Sequence, residues 1–186
     1  MPQDYRIFVG AFPQGDLANR IQALREQYDP VTARITAPHV TLAGTYWRSG
    51  PATPANEAAT VARLQASQSE FQPFALSLGG IAAFPPADRP VIYLQVEVTP
   101  ALLAVRSALL NVLGPDKHRH FTPHLTLAMR LKGPAARQMV EQLQQSEWQT
   151  GRWSAPIDRL ALMQRGPNDP AWREIAAVSL ANRGLV

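Results

Sequence analysis

Two histidines in nearly identical surroundings are the residues of this sequence best suited to catalysis. Residues 38–43 read Pro-His-Val-Thr-Leu-Ala, and residues 123–128 read Pro-His-Leu-Thr-Leu-Ala. The two histidines, His39 and His124, are 124 − 39 = 85 residues apart. Because the unperturbed pKa of histidine is about 6.5, one imidazole can act as a base and another as an acid near neutral pH.

Each copy of this segment reads as a β-strand. Alternation of side chains then places an imidazole and a hydroxyl on one face and apolar side chains on the other. The polar pairs are His39 with Thr41 and His124 with Thr126. The proline that opens each copy cannot donate a hydrogen bond to a neighbouring strand, so each strand is expected to begin there or to lie at an edge at that point.

Two imidazoles on opposite walls of a cleft suit in-line displacement at phosphorus. A neutral imidazole removes the proton of the attacking oxygen, and a protonated imidazole gives a proton to the leaving oxygen. Thr41 and Thr126 are placed to hydrogen-bond the non-bridging phosphate oxygens. These residues predict acid–base chemistry on a phosphate ester that uses no metal and no other cofactor.

The composition is that of a globular protein. The chain has 186 residues, of which 46% are hydrophobic, and it contains no cysteine, which excludes thiolate chemistry. No apolar stretch of about 18 residues and no secretory signal are visible, so we expect no membrane association and a cytoplasmic location. The net charge is +4, and 16 of the 18 basic residues are arginine, which permits a nucleic-acid ligand without requiring one.

The hydrophobic patterns predict strands and helices in alternation. Asp16, Asn56 and Thr99 are expected to cap helices that end near residues 28, 67 and 113, and a fourth helix covers about 133–147. A loop that includes Gly79, Gly80 and Phe84 is expected between two strands. The predicted strands cover about 7–9, 38–47, 74–78, 91–98, 123–128, 157–163 and 175–180.

Each His-Thr segment lies one helix downstream of a strand. This order predicts an α+β fold made of a duplicated, bilobal unit with a pseudo-two-fold axis. We expect two antiparallel sheets with helices on their outer faces and a central cleft that both His-Thr segments face. Residues 1–186 are expected to form a single domain of this kind.

The paired His-x-Thr-x segments resemble the signature of the 2H phosphoesterase superfamily. Residues 119–127, Arg-His-Phe-Thr-Pro-His-Leu-Thr-Leu, are similar to the second motif of its LigT-like branch, whose members are often called 2′-5′ RNA ligases. The resemblance extends over most of the chain. A single His-x-Thr would be a weak motif, whereas two at this separation, each followed by leucine after the threonine, are specific.

This resemblance implies an RNA 2′,3′-cyclic phosphodiesterase that opens the cyclic phosphate to a 2′-phosphate. Some relatives also join or cleave 2′-5′ linkages. Carried over by motif, His39 and His124 form the catalytic pair and Thr41 and Thr126 bind phosphate. The family assignment makes the first histidine the proton donor to the leaving oxygen and the second the base, a choice that the residues alone leave open.

Four further residues are candidates for contact with substrate. Arg130 has the same strand parity as His124, so it would reach the cleft as an added phosphate ligand if the strand continues. Phe84, Tyr46 and Phe121 are candidates to stack on a base, each with the alternative of a core or rim position. We expect the partner to be RNA or an oligonucleotide that ends in a 2′,3′-cyclic phosphate, and we expect a monomer.

Two other interpretations remain open at this stage. His118, His120 and His124 could form a metal site, although Lys117 and Arg119 beside them would repel a cation. A non-catalytic RNA-binding module would keep the basic rim and aromatic residues but would not need both His-Thr pairs. The duplication therefore favours an enzyme.

Overall fold

The computed structural model describes residues 4–117 and 120–180. Eight strands and six α-helices lie in this part of the chain. The strands are β1 (Tyr5–Ala11), β2 (Val40–Arg48), β3 (Phe74–Phe84), β4 (Val91–Val96), β5 (His124–Ala128), β6 (Trp153–Ile157), β7 (Arg159–Arg165) and β8 (Arg173–Ser179). The helices are α1 (Gly15–Tyr28), α2 (Pro30–Ile35), α3 (Ala58–Ala66), α4 (Pro100–Leu113), α5 (Gly133–Gln144) and α6 (Glu147–Thr150). None of the helices in these two ranges is long and apolar enough to span a membrane.

The strands confirm the predicted α+β class and form one antiparallel sheet in the order β6-β3-β4-β5-β2-β1-β7-β8. The two expected sheets are halves of this sheet, joined where β2 and β5 pair at one position within their described residues, Val40 with Leu125. Exchanging β2 with β5, β1 with β4, β7 with β3 and β8 with β6 maps the order onto its reverse. The strand order therefore has the two-fold character that the duplicated segments predict.

Helices α1 and α4 each contact a strand of the other half of the sheet. Helix α1 follows β1 but contacts β5, and helix α4 follows β4 but contacts β2. The core cluster that they cover includes Leu42, Leu125 and Leu127, none of which is exposed to solvent. Each half therefore buries part of its apolar strand face beneath a helix that follows a strand of the other half, although α4 also contacts β3 of its own half. This burial ties the two halves together.

The helix ends show which of the predicted N-terminal caps are correct. Thr99 caps α4 as predicted, because its side chain accepts a hydrogen bond from the Leu102 amide at 3.2 Å. The predicted cap Asp16 is wrong, since α1 begins at Gly15 and has Gln14 at its cap position. The Gln14 side chain donates to the Phe12 carbonyl oxygen and does not cap the helix. Asn56 lies within a short 3₁₀ turn rather than at a helix cap.

The loop expected at residues 79–84 is part of β3 instead. The strand continues through Gly79 and Gly80, where its register against β4 shifts between Leu78 and Ile81. Gly79 has φ of +154° and a Cβ there would clash with the carbonyl oxygen of Gly151, so only glycine fits this close approach. Phe84 is accordingly the last residue of a strand rather than a loop residue.

Asp29 joins α2 to the end of β5. Its carboxylate caps α2 by accepting hydrogen bonds from the backbone and hydroxyl of Thr32, at 3.0 and 2.7 Å. It also accepts from the backbone amides of Met129 and Arg130, each at 2.9 Å. Burial alone would raise the pKa of Asp29, but these hydrogen bonds together lower it below its usual value.

We expect Asp29→Ala to lower the free energy of unfolding by about 2–4 kcal/mol, because it removes a helix cap and leaves buried amides unsatisfied. Since the folded-state pKa is lowered, the contribution of Asp29 is present above a pH of about 4 and is lost on further acidification. Chemical denaturation at pH 7 and pH 3 measures both effects. Asp88→Ala, an exposed control, should change the free energy by less than about 0.5 kcal/mol, and an equal loss in both variants would contradict this role.

Candidate active site

The pairing of β2 with β5 brings the two His-Thr segments together. Because Val40 lies opposite Leu125, the antiparallel register places Thr41 across from His124, and Thr126 across from His39. The two histidines are then diagonal neighbours, with Cα atoms about 7–8 Å apart. Their Leu and Val neighbours are buried, whereas both histidines and both threonines remain partly exposed.

Both imidazoles are held by the same hydrogen bond. Nδ1 of His39 lies 2.8 Å from the carbonyl oxygen of Ala37, and Nδ1 of His124 lies 2.8 Å from that of Thr122. A carbonyl oxygen can only accept, so Nδ1 carries the proton and donates. In the neutral ring this leaves the lone pair on Nε2 for chemistry. The structure thus gives each histidine the same orientation and the same tautomer.

Aromatic rings enclose both imidazoles from neighbouring strands. The His39 ring stacks with Phe8 and Phe12 at centroid distances of 4.8 and 5.2 Å. The His124 ring meets Phe84 edge-on at 4.9 Å and lies 5.2 Å from Tyr93. These contacts restrict ring rotation and exclude water from one side of each imidazole.

The surroundings of His39 favour its neutral form. Burial is the largest effect and lowers the pKa of His39 to about 4. The positive charges of Arg25 and His124 lower it further, while the hydrogen bond to Ala37 raises it. His39 is therefore neutral at pH 7 in the unliganded protein. This state suits a base, whereas the family resemblance implied that His39 donates the proton.

Buried Arg25 supports the segment that leads into His39. Its guanidinium donates to the carbonyl oxygens of Thr32 and Thr36, at 3.2 and 2.9 Å. Burial lowers the pKa of Arg25 to about 10, although the negative charges of Asp29 and Glu26 oppose this. Arg25 thus remains charged at neutral pH while it holds the chain ahead of His39.

A cavity of about 340 Å³ opens beside His124. The threonine of the first segment and the imidazole of the second both line it, so it begins at the predicted phosphate position. An aromatic residue lies on either side of it, Phe84 from β3 and Phe121 from the segment before β5. The lining residues are Thr41, Gly44, Phe84, Arg106, Asp116, His120, Phe121, Thr122 and His124.

Arg106 and Asp116 at this cavity were missed by sequence reasoning. Arg106 on α4 donates to both carboxylate oxygens of Asp116, at 2.9 and 3.1 Å, and to the carbonyl oxygen of Leu42 at 2.5 Å. The Asp116 carboxylate also accepts from the Gly44 amide, and the Arg106 guanidinium lies 4.1 Å from the Phe121 ring centroid. The pair therefore fixes the cavity wall. An arginine on the otherwise apolar buried stripe of α4 was the signal that could have revealed the pair.

Two of the additional candidates lie elsewhere. Tyr46 shares the core face of β2 and is buried, and its hydroxyl donates to the carbonyl oxygen of Gly114 at 2.8 Å. It therefore takes the core position that was the alternative to stacking on a base. Arg130 follows the end of β5, because its backbone amide bonds to Asp29 rather than continuing the strand. Arg130 is exposed and does not line the cavity, so the structure does not support it as a phosphate ligand in the cleft. Phe84 and Phe121 do line it.

The structure describes only part of the proposed histidine cluster. His120 is exposed at the cavity, while His118 and Arg119 lie outside the described residues. Within residues 4–117 and 120–180, no group of three or more histidine, aspartate or glutamate side chains is placed to hold a metal ion. Metal binding by His118, His120 and His124 together is therefore not tested by the described residues.

The chain belongs to the 2′-5′ RNA ligase superfamily, whose family model matches residues 13–169. A Bacillus cytotoxicus protein, provisionally named a phosphoesterase, is 27% identical over 166 residues, which cover 88% of this chain and 91% of the relative. The site is therefore interpreted as that of a phosphoesterase.

Solved structures show the same fold. E. coli LigT in its apo form matches with a TM-score of 0.61 and 17% identity, over 97% of this chain and 99% of LigT. LigT complexed with 3′-AMP matches with a TM-score of 0.55 and 17% identity, over 98% and 100% of the two chains. The TT0787 protein of Thermus thermophilus matches with a TM-score of 0.62 and 19% identity, over 96% and 100%. The predicted resemblance to LigT-like proteins is confirmed.

In NMR titration, we expect the His39 ring to titrate at a pKa of about 4. Phe12→Ala should raise this pKa toward 6.5, because it opens the ring to water. Phe84→Ala, which removes a ring beside His124, should leave the His39 titration within a few tenths of a unit. A His39 that titrates near 6.5 in the unmodified protein would contradict the enclosure described above.

Proposed function

We propose that this protein is an RNA 2′,3′-cyclic phosphodiesterase that leaves a 2′-phosphate. The observation that carries the proposal is the matched pair of imidazoles, each with Nδ1 bonded to the carbonyl oxygen two residues earlier. Two independently placed structural histidines would not need the same tautomer, the same strand position and an adjacent threonine. A shared reaction explains all three features.

The charge state of His39 supports one order of proton transfer. Nε2 of neutral His39 accepts a proton from water as the water oxygen bonds to phosphorus. The bond from phosphorus to the 3′ oxygen breaks on the opposite side, and protonated His124 gives its proton to that oxygen. The product carries a 2′-phosphate and a 3′-hydroxyl. Proton exchange with solvent then restores both imidazoles.

Thr41 and Thr126 would hold the phosphate during this displacement. Each hydroxyl lies on the open face beside the histidine of the other segment, because of the antiparallel register. From there the hydroxyls can donate to the two non-bridging oxygens, which keeps phosphorus between the imidazoles. The residues themselves supply every proton transfer, so the proposal requires no metal.

The cavity beside His124 is the proposed place for the terminal nucleoside. Its volume of about 340 Å³ falls at the lower end of the range of small-ligand pockets. Phe84 and Phe121 are offered as the rings that contact the base. The LigT structure with 3′-AMP supports this proposal, because a protein of the same fold holds a nucleotide.

The same geometry would also serve a ribose 5′-hydroxyl in place of water. That substitution turns hydrolysis into formation of a 2′-5′ linkage, and its reverse cleaves such a linkage. Membership of the 2′-5′ RNA ligase superfamily is the observation that favours this second candidate. RNA as substrate and a cytoplasmic location both remain predictions.

We expect His39→Ala and His124→Ala each to reduce kcat/KM on an RNA that ends in a 2′,3′-cyclic phosphate by about 10²–10⁴-fold, because each removes a proton-transfer group. Arg137→Ala is the control, since Arg137 is an exposed residue on α5 that does not line the cavity and has no role in the proposed proton transfers. The kcat/KM of this control variant should fall by less than about tenfold. Normal rates in either catalytic variant would refute the mechanism.

Product analysis on the same RNA distinguishes the candidate reactions. A 2′-monophosphate end is the expected product, and addition of chelator should leave the rate unchanged. A 3′-monophosphate would show that the 2′ oxygen leaves instead of the 3′ oxygen. A joined 2′-5′ product in the presence of a 5′-hydroxyl RNA would favour ligation. Loss of activity with chelator would restore the metal interpretation.

A further inference from the structure

A second surface extends from the catalytic face along β1. The Arg6 guanidinium lies between two indole rings, 5.4 Å from the centroid of Trp47 and 5.4 Å from that of Trp172. The sheet register places Arg6 opposite Trp47 on β2 and opposite Arg165 on β7. We name these four residues, Arg6, Trp47, Arg165 and Trp172, the Arg–Trp track.

The track is continuous with the wall of the proposed active site. Trp172 meets the Phe8 ring edge-on at 4.7 Å, and Phe8 in turn stacks on His39 at 4.8 Å. Arg6 and Phe8 are two residues apart on one strand, so they share a face with Cα atoms about 6.8 Å apart. A flexible polymer whose terminal phosphate lies between His39 and His124 would therefore meet the track on the His39 side of that phosphate.

The charges of the track are not balanced by its own surroundings. Arg6 and Arg165 face each other directly, an arrangement of like charges that destabilises paired strands. Within the described chain neither guanidinium forms an ion pair. The carboxylates nearest to them in sequence have other partners. Asp4 accepts from the Ser49 hydroxyl, and the Asp169 carboxylate accepts from a backbone amide and lies 3.9 Å from Arg173. Arg165 donates only to the carbonyl oxygen of Asp169, at 3.1 Å, among the hydrogen bonds of the described residues. An anion between the two arginines would relieve the repulsion. Burial, and secondly the charge of Arg165, lower the pKa of Arg6, which fits this arrangement.

One of the two indoles of the track is open to solvent, while Trp172 is half-buried. Trp47 is 60% exposed, an unusual position for the largest apolar side chain. Alternating guanidinium and indole groups match the alternation of phosphate and base in a single-stranded nucleic acid. Each base has a face for stacking, and arginine suits the planar, bidentate recognition of phosphate.

We propose that the Arg–Trp track binds the single-stranded RNA that continues on the 5′ side of the reacting terminal nucleotide. Trp47 stacks on a base, and Arg6 with Arg165 contacts one phosphate of the backbone. This inference rests on the proposed function, because it takes the RNA end to lie at His39 and His124. It makes the natural substrate an oligonucleotide rather than a cyclic mononucleotide.

Equilibrium binding tests the track directly. The probe is a labelled eight-nucleotide oligoadenylate that ends in a 2′,3′-cyclic phosphate, and the protein carries His124→Ala so that the probe is not consumed. We expect Trp47→Ala to weaken binding about 5- to 100-fold and Trp47→Phe to retain most of it. Arg6→Gln should weaken binding roughly fivefold at 0.1 M salt and reduce the slope of log K against log salt by about 0.7.

The controls separate a local effect from a general one. Arg137→Gln removes an exposed arginine on α5 and should leave both the affinity and the salt slope unchanged. Equal thermal midpoints in all variants exclude a loss of fold. Affinity within twofold of the parent in both Trp47→Ala and Arg6→Gln would overturn the proposal, as would an oligoadenylate affinity no greater than that of adenosine 2′,3′-cyclic phosphate.

Kinetics in the active protein distinguish failure of the track from failure of the proposed function. We expect the ratio of kcat/KM for the oligonucleotide to that for adenosine 2′,3′-cyclic phosphate to fall at least fivefold in Trp47→Ala. An unchanged ratio overturns the track alone. If neither substrate is hydrolysed but the track variants still weaken RNA binding, the proposed function fails and the RNA-binding surface stands.

Discussion

The site depends on one strand pairing, that of Val40 with Leu125. This pair is the junction between two four-stranded halves, and on its open side it sets the spacing of both histidines and both threonines. On its buried side the same two residues are fully enclosed by the core. A slip of one residue at this junction would turn the imidazoles into the interior, so the packing of the core also fixes the geometry of the site.

Exchange of the helices protects this junction. Because α1 covers β5 and α4 covers β2, neither half can move away without exposing the apolar face of its neighbour. Arg106 adds a polar link, since it joins α4 to the Leu42 carbonyl of β2 and to Asp116 ahead of β5. Asp29 provides a similar link on the other side of the fold, between α2 and the residues after β5. The two polar links fasten the segments that flank each histidine.

The two histidines are equal in orientation but not in the aromatic contacts around them. Phe8 and Phe12 both stack parallel to His39, whereas Phe84 meets His124 edge-on beside an open cavity. Burial lowers the pKa of His39 and is the main reason why this ring is neutral at pH 7. The proposed pair of one base and one acid would thus obtain its difference from strand neighbours rather than from the His-Thr segments themselves.

Sequence patterns predicted the parts of the site that depend on residues close in the chain. Alternation around His39 and His124, and the cap of α4 at Thr99, follow from spacing of two and three residues. The neutrality of His39 could not be predicted in this way, because Phe8 belongs to another strand. The positions of Tyr46 and Arg130 could not be decided from sequence for related reasons. Only the tertiary structure shows that the Tyr46 ring is buried and that the strand before Arg130 ends at Ala128. Arg106 was overlooked because its partner, Asp116, lies beyond the helix end.

The central claim is that both imidazoles flank a single phosphorus. A crystal structure of the protein with orthovanadate and adenosine, which together mimic a five-coordinate phosphorus, tests it most directly. The account predicts one bound vanadium, with Nε2 of His39 and Nε2 of His124 each about 2.7–3.2 Å from oxygens on its opposite sides. Vanadate bound to one histidine alone, or bound away from both, would contradict it.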